Sequence, residues 1–431
     1  MLEKLFKLSE HGTNVKTEVL AGVTTFLTMA YIIFVNPAIL SQAGMDHGSV
    51  FVATCLAAAI GCFIMGFYAN YPIAQAPGMG LNAFFTYTVV LGMGHTWQVA
   101  LAAVFCSGIL FIILSLFKIR ELIINSIPMS LRLGISAGIG LFLALIALKN
   151  AGIVVASPAT LVTVGDLTSI PAILGALGFI LTIVLVHRGF KAAVMIAILA
   201  ITAVGVLLGD VDYGGIMSMP PSMAPTFLQL DFSAILDVGM ISVVFAFLFV
   251  DLFDTAGTLV GVANKAGFVG KDGKIPRLNK ALLSDSTATS IGALLGTSNT
   301  TSFVESTAGV AVGGRTGLTA VVVGVLFLLA LFFSPLAGMV PAYATTGALF
   351  YVAILMLSGL VNIEWDDLSE AAPVAVVCLL MPLTFSIAEG IAMGFVTYAA
   401  IKLFSGKARE VNIGVWILAL VFLLKFIFTG A

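Results

Sequence analysis

The stretch SNTTSFVESTAGVAVGGRTG, residues 298–317, places the carboxylate of Glu305 among hydroxyl-bearing and small residues and ends close to Arg315. Long apolar blocks flank the stretch on both sides. A charged carboxylate among apolar residues is unfavourable unless other groups hydrogen-bond to it or water reaches it. The role of Glu305 therefore depends on whether water or lipid surrounds the chain, and on how deeply this stretch is buried.

The composition of the chain indicates that medium. The chain has 431 residues, of which 60% are hydrophobic and 9% are charged, and its mean hydropathy is +1.15. An ordinary soluble domain has about 25% charged residues. The hydrophobic residues fall in blocks of about 17 to 25, the length that a helix needs to cross the hydrocarbon of a bilayer. The sequence therefore predicts an all-α polytopic membrane protein surrounded by lipid.

The charged residues and the cysteines exclude other classes. The net charge is −2, and the 19 basic residues are spread over short loops, so we expect no nucleic acid partner. The four cysteines lie in apolar blocks without metal-ligand spacing. We expect no cofactor and no metal.

Apolar blocks between loop signals predict the spans. The first half has candidates at residues 20–40, 50–69, 96–117, 129–148, 168–186 and 190–208, and the second half at 234–263, 280–296, 317–338, 343–361, 371–387, 389–404 and 411–429. Two further segments, 76–90 and 301–312, are short and rich in glycine or small residues. We expect both to cross the membrane as interrupted segments.

Positive charge tests this count, because loops rich in Lys and Arg stay on the cytoplasmic side. The basic residues before the first span and after the fourth, sixth, eighth and fourteenth include Lys4, Lys7, Lys16, Lys118, Arg120, Arg132, Arg188, Lys191, Lys265, Lys271, Lys274, Arg277, Lys280, Lys402, Lys407 and Arg409. The loops that carry these residues lie on the same side of the membrane only if both short segments, 76–90 and 301–312, cross it. We therefore predict fourteen crossings in the cell inner membrane with a cytoplasmic N-terminus. The acidic loop 362–370 is an exception, and 411–429 is either a fifteenth crossing or a surface helix.

The two short segments occupy matching places in the two halves. Asn82 and Glu305 are 223 residues apart, close to half the chain, and each lies in the third segment of its half. A repeat with an odd number of crossings, here seven, must be inverted across the membrane. Interrupted segments at matching positions of an inverted repeat indicate a transporter binding site near the bilayer midplane.

Few carboxylates lie inside predicted spans, where such residues are usually functional. The eighth span carries Asp251 and Asp254 on one helical face, with Thr255 and Thr258 nearby, and the ninth carries Asp285 among hydroxyl groups. Each carboxylate could instead cap a helix or form a bond between helices, and Asn82 could cap a half-helix. Glu18, Lys149 and Glu389 lie at span ends, where we expect interfacial positions. No histidine lies inside a span, so proton handling falls to the carboxylates.

Four motifs identify a resemblance. TEVLAGVTTFLTMAYIIFVNPAIL, AQAPGMGLNAFF, VDLFDTAGTLVGVANKAG and LLGTSNTTSFVESTAGVAVGGRTG resemble the AzgA-like branch of the nucleobase-ascorbate transporter superfamily, the purine permeases. The resemblance covers nearly the whole chain. It implies fourteen helices in a 7+7 inverted repeat, with short strands in segments 3 and 10.

The resemblance also implies a division into a core domain, at 20–117 and 234–338, and a gate domain, at 118–210 and 339–405. The sequence itself predicts an N-terminal interfacial segment at 1–19, a connecting loop at 211–233 and a C-terminal apolar segment at 406–431, which departs from the fourteen-helix plan. A homodimer formed through the gate is compatible with the family.

By similarity, Asp254 and Glu305 hold the base, Asn82 lies next to it, and Phe303 and Val304 offer backbone groups. Thr258 completes the predicted substrate-binding set. The predicted proton-coupling set is Glu305, Asp254, Asp285 and Asp251. The implied function is proton-coupled uptake of adenine, guanine or hypoxanthine, and no catalytic residue is expected.

Two other classes of function stay open at this stage. GISAG at 134–138 matches the pattern around an esterase nucleophile, but no histidine lies at membrane depth to act as its base, so we interpret it as helix packing. The same fold could carry a pyrimidine base or an inorganic anion. An anion would favour positive charge, for which Arg315 is the candidate, over two carboxylates.

Overall fold

The computed structural model describes residues 2–116, 127–268 and 275–429. In the first half the helices are α1 Leu2–Phe6, α2 Val15–Met29, α3 Ile32–Leu40, α4 His47–Ile64, α5 Met79–Ala83, α6 Trp97–Leu116, α7 Met129–Asn150, α8 Ile170–His187 and α9 Ala193–Leu207. In the second half they are α10 Val238–Ala266, α11 Leu278–Leu295, α12 Ser306–Ala311, α13 Gly317–Ala330, α14 Ser334–Gly338, α15 Thr346–Leu357, α16 Leu368–Leu383, α17 Ile387–Phe404 and α18 Ile413–Thr429. The strands are β1 Gln75–Pro77, β2 Val154–Ser157, β3 Leu161–Val164 and β4 Thr300–Ser302.

The described residues contain nine helical stretches that are long and apolar enough to cross a bilayer, and four shorter apolar helices. The polar helix α11 and the short helix α12 are in neither group. The count of fourteen crossings therefore stays a prediction. The predicted boundary between core and gate at 117–118, and Lys118, Arg120, Lys271 and Lys274, lie outside the described residues.

Helix contacts fall into two sets. Helices α2, α4, α6, α10, α11 and α13 pack against one another, and so do α7, α8, α9, α15, α16 and α17. Helix α18 packs on α17. Each set combines helices from both halves of the chain, as an inverted repeat requires.

Small residues bring the helices of the second set together. An added Cβ at Gly138 of α7 would lie 2.6 Å from the sulfur of Met381, and one at Gly140 would lie 2.9 Å from the carbonyl oxygen of Ala353. Gly134 faces Val374 in the same way, at 3.3 Å. The GISAG stretch is therefore a packing surface, as the sequence analysis interprets it.

The two interrupted segments meet as a pair of short strands. β1 and β4 are antiparallel, with Gln75 opposite Ser302, Ala76 opposite Thr301 and Pro77 opposite Thr300. Each strand leads into a short helix, α5 after β1 and α12 after β4, and a π-helical turn, Phe84–Gly92, continues α5. The predicted strands in segments 3 and 10 are confirmed.

Two features go beyond the sequence-based expectations. Residues 149–167, which lie between two predicted spans, contain an antiparallel hairpin of β2 and β3. Glu18, for which an interfacial position is predicted, is fully buried inside the protein, where it accepts hydrogen bonds from the backbone N–H groups of Arg315 and Thr316. Its depth in the membrane stays a prediction. Burial is tolerated because the carboxylate is satisfied within the protein.

Candidate functional site

The antiparallel strands β1 and β4 form the centre of the candidate site. The hydrogen-bonded ladder extends beyond the strands, because the N–H of Phe303 donates to Ala74 at 2.9 Å and that of Gly78 donates to Asn299 at 2.9 Å. Every residue of both strands is buried. Backbone at membrane depth is tolerated when its polar groups are paired within the protein, as they are here.

Gly78 allows the strands and α10 to approach closely. Its φ of −80° and ψ of 128° suit any residue, so its backbone does not require glycine. An added Cβ would lie 2.6 Å from Cγ2 of Thr301 and 3.8 Å from Oδ2 of Asp254. The absence of a side chain at Gly78 therefore sets the separation between β1 and β4, and it leaves Asp254 beside the start of α5.

Asp285 lies beneath the strand pair and is fully buried. Its Oδ1 accepts hydrogen bonds from Nε2 of Gln75 at 3.1 Å and from Oγ of Ser302 at 2.8 Å, and its Oδ2 accepts one from Oγ1 of Thr255 at 2.7 Å. One carboxylate on α11 thus bonds to β1, to β4 and to α10. This arrangement fixes the strands on the helices behind them.

Asp251 is also buried, one turn before Asp254 on α10. Its Oδ2 accepts hydrogen bonds from Oγ1 of Thr289 and Nδ2 of Asn299, both at 3.1 Å. The hydroxyl of Thr289 also lies 2.9 Å from the carbonyl oxygen of Thr300. Asp251 therefore connects α10 with α11 and with the segment that enters β4.

Asp254 has different surroundings from these two carboxylates. It is partly exposed, and no group among the described residues donates a hydrogen bond to it. Asp254 lies close enough to Asp285 and Glu305 for the carboxylates to interact electrostatically. Thr258, one turn further along α10, is largely buried. The arrangement leaves the oxygens of Asp254 available to a ligand.

Glu305 lies at the start of α12 and borders a cavity of about 290 Å³. Its Oε1 accepts a hydrogen bond of 2.5 Å from the hydroxyl of Tyr31, which lies between α2 and α3 and is almost fully buried. The cavity is lined on one side by α2 and α12 and on the other by α8, α9 and α15, including Phe190, Lys191 and Tyr351. It thus lies between the two sets of helices, close to the lower end of the volume range of small-molecule sites, roughly 300 to 1,000 Å³.

The other predicted site residues are less accessible. Asn82 is fully buried, and its Oδ1 accepts a hydrogen bond from Oγ of Ser298, while its Nδ2 is one of the buried polar atoms without a partner among the described residues. Phe303 is largely buried and its N–H is already bonded to Ala74. Val304 is exposed and lines the cavity, and among the described residues no acceptor bonds to its N–H.

Among the residues of the site that the sequence does not single out are Tyr31 and Gln75, and Thr255 is noted there only as a neighbour of Asp254. Tyr31 lies in an apolar stretch where a tyrosine is unremarkable, so only its contact with Glu305 reveals its position. Gln75 and Thr255 are polar residues inside interrupted or apolar segments, which is a usable signal. Their convergence on Asp285 depends on how β1, α10 and α11 cross.

A separate contact joins the two helix sets near the C-terminal ends of α7 and α16. The hydroxyl of Thr88 donates to the carbonyl oxygen of Phe385 at 2.8 Å. Nζ of Lys149 lies 5.3 Å from the ring centroid of Tyr87 and 5.5 Å from that of Phe385. Phe385 has a φ of 51°, an unfavourable backbone conformation for a residue with a bulky side chain. Such strain persists only where the surrounding contacts stabilise it.

Solved structures share this architecture. The transmembrane domain of a cyanobacterium bicarbonate transporter, BicA, aligns with a TM-score of 0.62 and 16% identity over 94% of this chain and 97% of BicA. SLC26A9 aligns with a TM-score of 0.65 and 12% identity over 91% of this chain and 66% of SLC26A9. These likenesses confirm the predicted fold class, an all-α membrane fold built as an inverted repeat with a core and a gate, while the count of seven crossings in each half stays a prediction.

Sequence relatives and a family match define the chain more closely. Adenine permease AdeP of Escherichia coli K12 is 52% identical over 100% of this chain and 97% of AdeP. Guanine/hypoxanthine permease PbuG of Bacillus subtilis 168 is 48% identical over 99% of this chain and 100% of PbuG. The Permease family matches residues 16–393.

The fold and these matches define a multi-pass membrane permease, and the prediction of a transporter rather than an enzyme is confirmed. The chain belongs to the Permease family of nucleobase-ascorbate transporters, so the resemblance drawn from its motifs is also confirmed.

Proposed function

We propose that this chain takes up purine nucleobases, coupled to inward movement of protons, and that Asp254 and Glu305 bind the base. The observation that carries the proposal is the pair of partly exposed carboxylates at the crossing of β1 and β4, with Glu305 on the wall of a 290 Å³ cavity. Similarity to permeases named for adenine and for guanine and hypoxanthine supports the purine class.

The chemistry of the site suits a purine. A purine presents N–H donors and ring-nitrogen acceptors along its edge. The carboxylates of Asp254 and Glu305 accept from such donors, and the N–H of Val304 can donate to a ring nitrogen. In a water-poor site, a ligand that leaves one of these groups unpaired binds more weakly, and this difference provides selectivity.

The same carboxylates provide the proton coupling that we propose. A carboxylate in a water-poor site binds a proton more readily than one in bulk water, and it releases that proton when the site opens to water. One proton moving down 100 mV releases about 2.3 kcal/mol, enough for a roughly fiftyfold accumulation of a neutral solute. We assign Asp285 and Asp251 to the same relay, because Thr255 lies within hydrogen-bond distance of both.

Transport requires the core, residues 20–117 and 234–338, to move against the gate, residues 118–210 and 339–405. The cavity beside Glu305 extends to Gly189–Lys191, the turn after α8, which we place on the cytoplasmic side with the N-terminus. We place the contact of Thr88 with Phe385 on the outer side. Closure at one end and a cavity at the other fit an inward-facing state. We also propose that two copies of the chain associate through the gate.

An inorganic anion is the alternative cargo. Arg315, the candidate cation for such a site, donates from Nη1 to the carbonyl oxygens of Val310 and Gly314, at 2.8 Å and 2.7 Å. Lys191 does line the cavity, but it is exposed on the turn after α8. Two carboxylates at the strand crossing disfavour an anion, and they suit a ligand with N–H donors.

Uptake by the reconstituted chain tests the proposal. With an acid-outside gradient, proteoliposomes should accumulate labelled adenine, guanine or hypoxanthine, and a protonophore should abolish the accumulation. Sulfate and uracil serve as competitors. Competition by sulfate would indicate an anion transporter, and preferred uptake of uracil would indicate a pyrimidine transporter.

Variants of the two carboxylates test the site assignment. Asp254→Asn and Glu305→Gln each remove a charged acceptor and should weaken purine binding about 10- to 150-fold, the equivalent of 1.5 to 3 kcal/mol. Asp212→Asn, which alters an exposed carboxylate in the connecting loop, is the matched control and should bind like the wild type. Unchanged binding in both site variants would refute the assignment.

A further inference from the structure

Arg315 neutralises the C-terminal end of the helix that begins beside Glu305. Its Nη1 donates to the carbonyl oxygen of Val310 in α12 and to that of Gly314 in the following turn. The last carbonyl groups of a helix have no partner within the helix and carry partial negative charge, so a guanidinium stabilises them. Arg315 therefore acts on α12 at the end opposite to Glu305.

Glu18 of α2 fixes the backbone that carries Arg315. Its Oε1 accepts from the N–H of Arg315 at 2.8 Å, and its Oε2 accepts from the N–H of Thr316 at 3.2 Å and from Oγ1 of Thr319 at 2.6 Å. The side chain is fully buried. A buried carboxylate with three donors at the start of α13 is well stabilised, because the N-terminal end of a helix attracts negative charge.

Helix α12 depends on such contacts for its position. It has six residues and is about 9 Å long, and so short a helix has little stability of its own. It packs directly on α2, since a Cβ at Gly309 would lie 2.7 Å from the carbonyl oxygen of Ala21. The orientation of Glu305, at the N-terminal end of α12, therefore depends on the contacts of α12 with α2 and with the turn at Arg315.

We propose that Glu18 and Arg315 are positioning residues that orient Glu305 toward the purine without touching it. Neither residue lines the cavity beside Glu305. The proposal rests on the function proposed above, because it takes Glu305 to be a substrate-binding group. Glu18 affects purine binding indirectly, because it holds α12 in place and α12 carries Glu305.

The substitution Glu18→Gln isolates this effect. Both oxygens of Glu18 accept backbone N–H groups, so a glutamine must place its amide N–H₂ against one of those donors and leave it unpaired. Arg315→Lys retains the charge but shortens the side chain, and it removes the terminal nitrogen Nη1 that donates to both carbonyl oxygens. Thr319→Val removes a single donor to Glu18 and is the mildest of the three. Glu10→Gln, an exposed position that pairs with Lys7, is the matched control.

The experiment compares purine KM, maximal uptake per folded molecule and amide hydrogen exchange of residues 306–311 in the full-length reconstituted chain. Glu18→Gln and Arg315→Lys should raise KM about tenfold, with a smaller change for Thr319→Val, leave maximal uptake within about twofold, and speed exchange in α12. Glu10→Gln should change none of these. A residue needed only for folding would lower the yield of folded protein and leave KM and the exchange of α12 in the folded molecules unchanged.

An unchanged KM in folded Glu18→Gln and Arg315→Lys would overturn the proposal. If one of these variants does not fold, the other and Thr319→Val decide the outcome by the same criterion. Should the wild type carry no purine, the proposed function fails. Hydrogen exchange then decides the inference separately: faster exchange in α12 of Glu18→Gln would support the positioning role of Glu18, and unchanged exchange would overturn it.

Discussion

Substituting Gly78 by alanine would test whether the close approach of β1 and β4 shapes the site. The backbone of Gly78 accepts alanine, since its φ is −80°, so the only obstacle is the methyl group of Thr301, 2.6 Å from the added Cβ. Overpacking of this kind costs about 1 to 3 kcal/mol. Gly78→Ala should lower the free energy of unfolding by that amount and weaken purine binding, because the displaced strand carries the residues beside Asp254.

The assay pairs thermal unfolding in detergent with purine binding. Thr301→Ser removes the opposing methyl group and keeps the hydroxyl that lies 2.8 Å from Thr255. Alone, it should cost about 0.5 to 1.5 kcal/mol, by analogy with the loss of one buried methyl group. Combined with Gly78→Ala, it should restore at least half of the lost stability, a non-additive result expected for residues in contact.

Gly257→Ala is the matched control for this experiment. Gly257 lies on α10 one turn from Asp254, and an added Cβ there would meet no atom within 4 Å. It should leave stability unchanged or raise it by about 0.5 to 1 kcal/mol, the usual gain of alanine over glycine in a helix. If the losses of Gly78→Ala and Thr301→Ser simply add in the double variant, the contact does not limit the strand separation and the reasoning is refuted.

Three other substitutions probe separate parts of the molecule. Asp285→Asn should reduce proton-driven uptake more than purine binding, because we assign this buried carboxylate to the proton relay and it does not line the cavity. Equal losses would return Asp285 to a purely structural role. Thr88→Val removes the hydroxyl that donates to the carbonyl oxygen of Phe385. If this contact closes the outer side, the loss of one hydrogen bond of about 0.5 to 1.5 kcal/mol should raise labelling of Val89→Cys by an impermeant thiol reagent about 2- to 12-fold. Unchanged labelling would show that the contact does not close that side. Hydrogen bonds from Ser369 and the ammonium of Lys407 hold the pKa of Asp367 well below its usual range in the folded protein. The ionised Asp367 therefore stabilises the folded state at pH values above the unfolded pKa of about 3.9, and this stabilisation is lost as the pH falls through the lower pKa of the folded state. Asp367→Asn should therefore lower the unfolding midpoint at pH 7, with a difference that fades below about pH 4; a constant difference would argue against the linkage.

The acidic loop 362–370 did not fit the distribution of positive charge in the sequence, and the structure provides the reason. Nζ of Lys407 lies 3.0 Å from Asp367, and Nζ of Lys402, largely buried, lies 2.7 Å from Glu370. Two of the four acidic residues of the loop are thus paired with lysines, one in the last turn of α17 and one just after that helix. A rule that counts charges loop by loop cannot detect this, because the two loops meet only in the folded gate.

The carboxylates show how far sequence reasoning reaches. Their cost inside a membrane singles out Asp251, Asp254, Asp285 and Glu305 without any structure. The sequence does not separate them, because residues on one helical face or in neighbouring spans look alike. In the structure Asp251 and Asp285 are buried among donors, whereas Asp254 and Glu305 are partly exposed. The burial of each carboxylate depends on which helices and strands pack over it, and this packing is visible only in the tertiary structure.

The sequence by itself determined the membrane class through its hydropathy, the inverted architecture through its matching interrupted segments, and the family through its motifs. Hydropathy, segment position and motifs can all be read from residues that are neighbours in the chain or recur at regular intervals. The tertiary structure alone decided that Tyr31 bonds to Glu305, that Glu18 is buried within the protein, and that Arg315 donates to backbone carbonyl groups. The physical reason is that a hydrogen bond joins residues up to 301 positions apart, as between Glu18 and Thr319, and requires a particular crossing of helices that no periodic pattern specifies.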